Sequence, residues 1–366
     1  MAAVEKSLSK YKHIVQFIKS QVDDGALGVS DQVPSESELT KSFHVSSITV
    51  RKAMESLVRE GVVYRVKGKG TFVAGPSQPE MGTDTPRKVY LLMDVENLDT
   101  SLNKILRGIQ GYLNGRGYLL VLENQAFCRE FLNRETDLSR AGMILFLYPG
   151  DQKREELYRL YKSGVKFVCI DRTIGSFPVN YVGTNNHDAD YAAVEYLIGL
   201  GHKRIGFLSH NFEVSSEKER YAGYRDALLD NGLNSCIEEA YDKPSLDAYV
   251  SYLAKGGCTA VVCANDLAAS MLIERLKTAG LTVPGDISVI GFDDSDVFRY
   301  HLPALTTLRQ DFESIGFEAA RLLVKLMTWA VSGCKKIYLP AKLIVRDSTR
   351  GIDMRGTAGG IDNGET

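Results

Sequence analysis

An α/β chain is what the sequence predicts: a small helical head ending in a two-stranded wing, then a long body of two lobes with parallel sheets. Three observations carry the prediction. Residues 34–73, PSESELTKSFHVSSITVRKAMESLVREGVVYRVKGKGTFV, hold two short helical patterns followed by a basic, glycine-tipped hairpin. From residue 88 onward, apolar strand-like runs alternate with helical stretches, the order that lays parallel strands beneath covering helices. Between the two, residues 75–87 (GPSQPEMGTDTPR) carry three prolines and two glycines and read as a semi-flexible linker.

The head is expected to span residues 1–75. Tyr11, Ile14, Val15, Ile18 and Val22 recur at helical spacing and predict a first helix over 8–22. Ser35 with Glu38 three residues on is a capping-box pattern, so a second helix opens there and runs to about Phe43. The third starts near Ser46, with Val50, Ala53, Met54, Leu57 and Val58 expected in the core. Gly61 stops it. VVYRV and TFVA then alternate as two strands joined through Lys67, Gly68, Lys69 and Gly70.

A helix pair followed by a basic hairpin suits double-stranded DNA, one helix entering the major groove and the wing lying beside it. The candidate contacts are Ser35, Ser46, Ser47, Thr49, Arg51, Lys52, Lys67, Gly68, Lys69 and Thr71. Arginine can bond guanine through two parallel donors, whereas hydroxyls suit phosphates and discriminate less. Charge fits this division: residues 1–75 carry 11 Lys/Arg against 8 Asp/Glu, and the remainder 33 against 38.

At 366 residues and 44% hydrophobic content, the chain is long enough for two or three domains with real cores. No apolar run is long enough to cross a membrane and no leader pattern opens the sequence, so a cytoplasmic protein is expected. The six cysteines are scattered without a C-x-x-C pair, which argues for free thiols and against a metal site. No cofactor is expected. An enzyme on the same scaffold is the third reading. However, there is no Walker-type phosphate loop and no G-x-S-x-G elbow, and the six histidines form no base–nucleophile pattern. A solute-binding protein with an incidental head is the second reading, from another class, against which the intact head with its cap, stripe and wing argues.

The body is expected over 88–350, the linker over 76–87, and a disordered tail over 351–366. Two sets of strand–helix units are anticipated, the second opening at YVGTN and ending with a helix over about 311–332. Helical stretches are also expected at 129–140 and 155–163. Ligands in such sheets bind beyond the carboxyl ends of the strands. Polar residues gather there: Asp171 and Arg172 after FVCI, Asn265 and Asp266 after AVVCA, Asp293 and Asp294 after VIGF, Gln310 after LTTLR, and Arg220 opening the helix after IGFLSH. Amides, carboxylates and guanidinium groups provide the donors and acceptors that a polyhydroxylated ligand needs. Asp and Asn also serve as ordinary helix caps at such places.

The segments PSESEL, FHVSSITVRKAM, LVREGVVYR and GKGTFV resemble the GntR family of bacterial transcription regulators. Two positions depart from that pattern: Ser37 and Ser47 stand where many members carry an arginine. This shifts expected base readout toward Thr49, Arg51 and Lys52. YLIGLGHKRIGFLS, the block AVVCANDLAASMLIERLKTAGLTVPGDISVIGFDD, and LTTLRQDFESIGFEAARLL resemble the LacI/GalR-type effector domain, itself similar to periplasmic sugar-binding proteins. By motif, that resemblance implies effector contacts at Arg220, Asn265, Asp293 and Gln310, with Asp171 and Arg172 matching a further pair. The paired aromatics that often follow the first strand are absent from NLDTSLNK, leaving Tyr148, Phe177 or Tyr241 to stack on a ring. The composite is similar to arabinose-responsive repressors. It implies a homodimer on operator DNA whose binding is controlled by a small sugar-like effector.

Overall fold

The computed structural model describes residues 2–23, 26–28, 31–66, 70–74, 87–93, 100–124, 141–146, 151–173, 178–209, 212–235, 246–298, 302–328 and 333–352. Helices α1 (Ala2–Asp23), α2 (Glu36–Phe43) and α3 (Ser47–Arg59) precede the antiparallel wing of β1 (Val63–Val66) and β2 (Gly70–Val73). Ile14, Ile18, Leu39, Val50, Ala53, Met54 and Leu57 form one core, closed by Val63 and Val73 from the wing. Val58 does not join it. Its side chain is 39% exposed because its place on the helix has turned past the buried stripe. The expected first helix begins earlier than residue 8, since Ala, Glu and Lys in 2–7 are good helix formers. Gly61 ends the third with φ +68°, a conformation costly for residues that bear a Cβ.

The first body lobe is a six-stranded, all-parallel sheet in the order β12-β7-β6-β5-β3-β4. Its strands are β3 (Arg87–Met93), β4 (Tyr118–Asn124), β5 (Ala141–Phe146), β6 (Lys166–Ile170), β7 (Asn180–Thr184) and β12 (Lys336–Leu339). Arg87, placed with the linker above, is the first residue of β3. Along β3, Val89, Leu91 and Met93 face one core while Tyr90 and Leu92 face another, as a strand covered on both faces requires. Helices α4 (Thr100–Leu113) and α5 (Asp151–Ser163) belong to this lobe.

The second lobe holds β8 (Ile205–Leu208), β9 (Ala260–Cys263), β10 (Ser288–Asp293) and β11 (Thr306–Arg309) in parallel. An edge strand, β13 (Lys342–Ile344), runs antiparallel to β11. Helices α6 (Asn186–Gly199), α7 (Ser215–Asp230), α8 (Leu246–Gly256) and α9 (Asp266–Thr278) cover it.

The expected division into two consecutive sets is corrected here. YVGTN is β7 and lies in the first sheet. The long helix α10 (Phe312–Thr328) packs its Ile315, Ala319 and Leu323 into the first lobe although it follows β11 of the second. The chain therefore crosses between lobes after Thr184, after Arg309 and after Leu339. Close approach of backbones explains where α10 goes. A Cβ on Gly108 of α4 would overlap the Glu313 carbonyl, and one on Gly316 would overlap that of Ile105. The two glycines let α4 and α10 touch. The helix expected at 129–140 and the linker stretch 75–86 lie outside the described residues. So do Lys67, Gly68, Lys69, Tyr148, Phe177, Tyr241 and the tail beyond residue 352.

Candidate functional sites: a DNA-facing helix and an interlobe cleft

In the head, side-chain caps set where α2 and α3 begin. The Ser35 hydroxyl accepts from the Glu38 N–H (3.2 Å) and the Glu38 carboxylate accepts from the Ser35 N–H (2.7 Å). That backbone bond holds the Glu38 carboxyl below its usual range. Ser46 caps α3, accepting from the Thr49 N–H at 3.3 Å and sharing a hydroxyl contact with Thr49 at 2.9 Å. Ser35, Ser46 and Thr49 thus have structural partners already. Ser47, Arg51 and Lys52 are exposed on α3, with the Lys52 ammonium 5.2 Å from the Tyr11 ring centroid. Thr71 is on β2, and its carbonyl receives the Val33 N–H. Glu36, overlooked in the sequence, binds Arg65 (3.0 Å) and stands 3.9 Å from Arg51. One carboxylate steadies two cations beside the recognition face. The signal was present in the α2 first turn but gave no hint of its β1 partner.

In the body, the strand-end residues converge between the lobes. Arg220 lies in the second turn of α7, five residues after the helix opens rather than at its start. Its guanidinium is buried and lies over the Phe292 ring, 3.6 Å from the centroid. It donates through Nε to Asn186 (2.9 Å) and through Nη1 to the Ala264 carbonyl, and its Nη2 is 3.9 Å from Asp293. Asp293, at φ +112°, accepts from Gln310 Nε2 (2.7 Å), while Gln310 Oε1 accepts from the Thr184 hydroxyl. Thr184 ends a first-lobe strand and Asp293 a second-lobe strand, so Gln310 ties the lobes together. Burial pushes the Asp293 carboxyl well up, against the pull of Arg220.

Asp171, at φ +63° and buried, pairs with its neighbour Arg172 through Nε (2.9 Å) and Nη2 (2.8 Å). The Arg172 guanidinium sits 4.8 Å from the Phe146 ring centroid. Asn265 caps α9, its Oδ1 accepting from the Ala268 N–H at 2.8 Å, which leaves the amide nitrogen for other partners. Two further contacts join the lobes: the Thr173 N–H to Ser215 Oγ (2.8 Å) and Lys104 to Asp296 (3.3 Å).

Sequence reading missed Thr184, Asn186, Asp190, Glu219 and Phe292. Asn186 also donates to Glu219 (3.0 Å), whose carboxyl is raised by burial. Asp190, one helical turn beyond Asn186, is fully buried, and neither carboxylate oxygen has a hydrogen-bond partner among the described residues. Desolvation pushes it up to about 7, with Arg220 and His187 drawing it back down. The charge of the buried Arg220 thus acts on three carboxyls, Asp190, Glu219 and Asp293, an arrangement that offers acceptors to hydroxyl groups. Among the described residues no cluster could hold a metal ion, and no helix is long and apolar enough to cross a membrane.

This pairing of a winged reading head with a two-lobed ligand body defines a class: a DNA-binding transcriptional regulator with an effector domain. Residues 10–73 match the model of the bacterial regulatory proteins, gntR family, and residues 194–349 match the periplasmic binding protein-like domain. The chain is a regulator with a GntR-type head and a periplasmic-binding-protein-like body. It is 29% identical to the arabinose metabolism transcriptional repressor of Geobacillus stearothermophilus over 95% of this chain and 100% of that protein. Against the HTH-type transcriptional regulator GalR of Escherichia coli K12 it is 34% identical, over 47% of this chain and 52% of that one. A solved transcriptional regulator CelR–cellobiose complex superposes with a TM-score of 0.63 at 26% identity, covering 83% of this chain and 91% of that one.

Proposed function

We propose that the chain represses genes of carbohydrate utilisation and that a small sugar-like effector, held between the lobes, controls its grip on the operator. The observation that carries this is the Thr184–Gln310–Asp293–Arg220 run. Polar groups from both lobes meet in one buried network where a ligand rich in hydroxyls can replace protein partners. Asp171, Arg172 and Asn265 border the same strand ends and complete the proposed set. Near-complete switching of a two-state equilibrium needs about 5.5 kcal/mol of differential effector affinity. Several charge-assisted hydrogen bonds, worth about 1.5–3 kcal/mol each, are enough.

On the DNA side, Ser47, Thr49, Arg51 and Lys52 present the recognition face, with Thr71 and the wing beside it. The head occupies residues 1–75, the linker 76–86 and the effector domain 87–350, since Arg87 opens β3. The working form is a cytoplasmic homodimer on a pseudo-palindromic operator, since two-fold protein symmetry is mirrored in such sites. An apolar patch supports the pairing. Leu267 and Met271, one turn apart on α9, and the 87%-exposed Leu302 are accompanied by a cavity of about 300 Å³ lined by Ser270, Ile273, Glu274, Phe298, Leu302, Pro303 and Leu305. The protein needs no cofactor and carries out no catalysis.

The test combines gel shifts on the protein's own promoter region with thermal melting against pentoses, hexoses and their phosphates. Specific retention of DNA at moderate salt, altered by a sugar that also raises the melting temperature, is the expected result. Absence of any specific retention would sink the proposal.

A further inference from the structure

We propose that Ile48 is a specificity-determining residue that reads a thymine in the operator through its C5-methyl group, resting on the DNA-binding role of the head. Ile48 is the second residue of α3 and is 75% exposed, although every other large apolar side chain in the first two turns of that helix is buried. At 3.6 residues per turn it lies opposite the Val50–Ala53–Met54–Leu57 stripe, so it points straight away from the core. Its neighbours on that outward face are Arg51 and Lys52, three and four residues on, both exposed. An apolar side chain therefore stands among the cations that would approach DNA, at the end of the helix that enters the groove.

The only apolar group a base pair displays in the major groove is the thymine methyl. An isoleucine has no donor or acceptor and cannot favour guanine, cytosine or adenine by hydrogen bonding. Desolvating Ile48 against a methyl is the one favourable base contact open to it. The position also compensates for its surroundings. Ser47 beside it brings only a hydroxyl, and Ser46 and Thr49 already bond one another at 2.9 Å. Ile48 consequently adds an apolar base contact to a first turn whose other outward groups are hydroxyls.

The experiment uses the full chain. Bound duplexes are selected from a random-sequence pool, and each thymine of the enriched operator is replaced in turn by deoxyuridine, which lacks only the methyl. One symmetry-related pair of positions is expected to weaken wild-type binding by about fourfold per half-site, the effect of one buried methyl-sized group. Ile48→Ala should lose the same factor on the thymine operator and become indifferent to the replacement, while Ile48→Val keeps the discrimination. Because Ile48 is exposed, the head's melting temperature should be unchanged, and that measurement separates lost contact from lost fold. An enriched operator indifferent to every thymine methyl, or an Ile48→Ala variant that still discriminates, overturns this assignment alone. A pool yielding no enriched sequence overturns the regulator reading itself.

Discussion

Gln310 donates from Nε2 to Asp293 Oδ1 across 2.7 Å, and the same amide accepts the Thr184 hydroxyl on its oxygen. One side chain at a chain crossing thus links the ends of two strands in different sheets. Gln310→Leu keeps the volume but leaves both partners unsatisfied, at about 1–3 kcal/mol for each buried group. The expected outcome is effector binding weakened at least tenfold by calorimetry, with circular dichroism still native. Unchanged affinity would remove Gln310 from the site.

From its seat over Phe292, Arg220 acts on the carboxyls of the buried Asp190 and the half-buried Glu219 and Asp293. Arg220→Ala should abolish effector binding and lower stability by about 3–5 kcal/mol, the usual consequence of removing one partner from a buried charge cluster. Arg220→Lys should not restore binding, because an ammonium cannot reproduce the planar fork that reaches Asn186 and the Ala264 carbonyl together. Melting curves and sugar titrations of both variants check this.

Asp190 carries a pH signature. Its folded-state value of about 7 stands above the ordinary 3.8, so the native state holds a proton that the unfolded chain releases. Stability from this group is full below about pH 4 and is lost as pH rises through 7, up to about 4 kcal/mol for three units. Asp190→Asn should therefore match the wild type near pH 4 and exceed it at pH 8 in denaturant melts. Equal stability at both ends contradicts the assignment.

Met271 tests the paired form. Placing a charge on the α9 apolar patch, Met271→Arg, should convert the dimer to monomer in sedimentation at micromolar concentration and weaken operator binding, with secondary structure retained. A variant that stays dimeric moves the interface elsewhere.

Arg51 tests the reading face. Arg51→Ala should cut operator affinity at least tenfold and reduce the dependence of log affinity on log salt by about one unit per head if it contacts phosphate. The effector domain should melt as before. Retained affinity excludes Arg51 as a contact.

The sequence by itself determined the local features. The Ser35–Glu38 capping box, the start of α3 near Ser46, the apolar stripe of α3 and the buried strands follow from residue spacing, because helix and strand periods are properties of neighbouring residues. It also brought Arg220, Asn265, Asp293 and Gln310 forward as candidates, since strand ends are where α/β sheets place ligands. What it could not determine depended on partners far away in the chain. Only the tertiary structure decided that β7, α10 and β12 join the first lobe, through three crossings and the close approach of Gly108 to Glu313 and of Gly316 to Ile105. It also decided that Glu36 steadies Arg51 and Arg65, and that Asp190 lies buried within reach of the Arg220 charge. Each of these depends on burial and charge assembled from separate elements, and local periodicity carries no record of either.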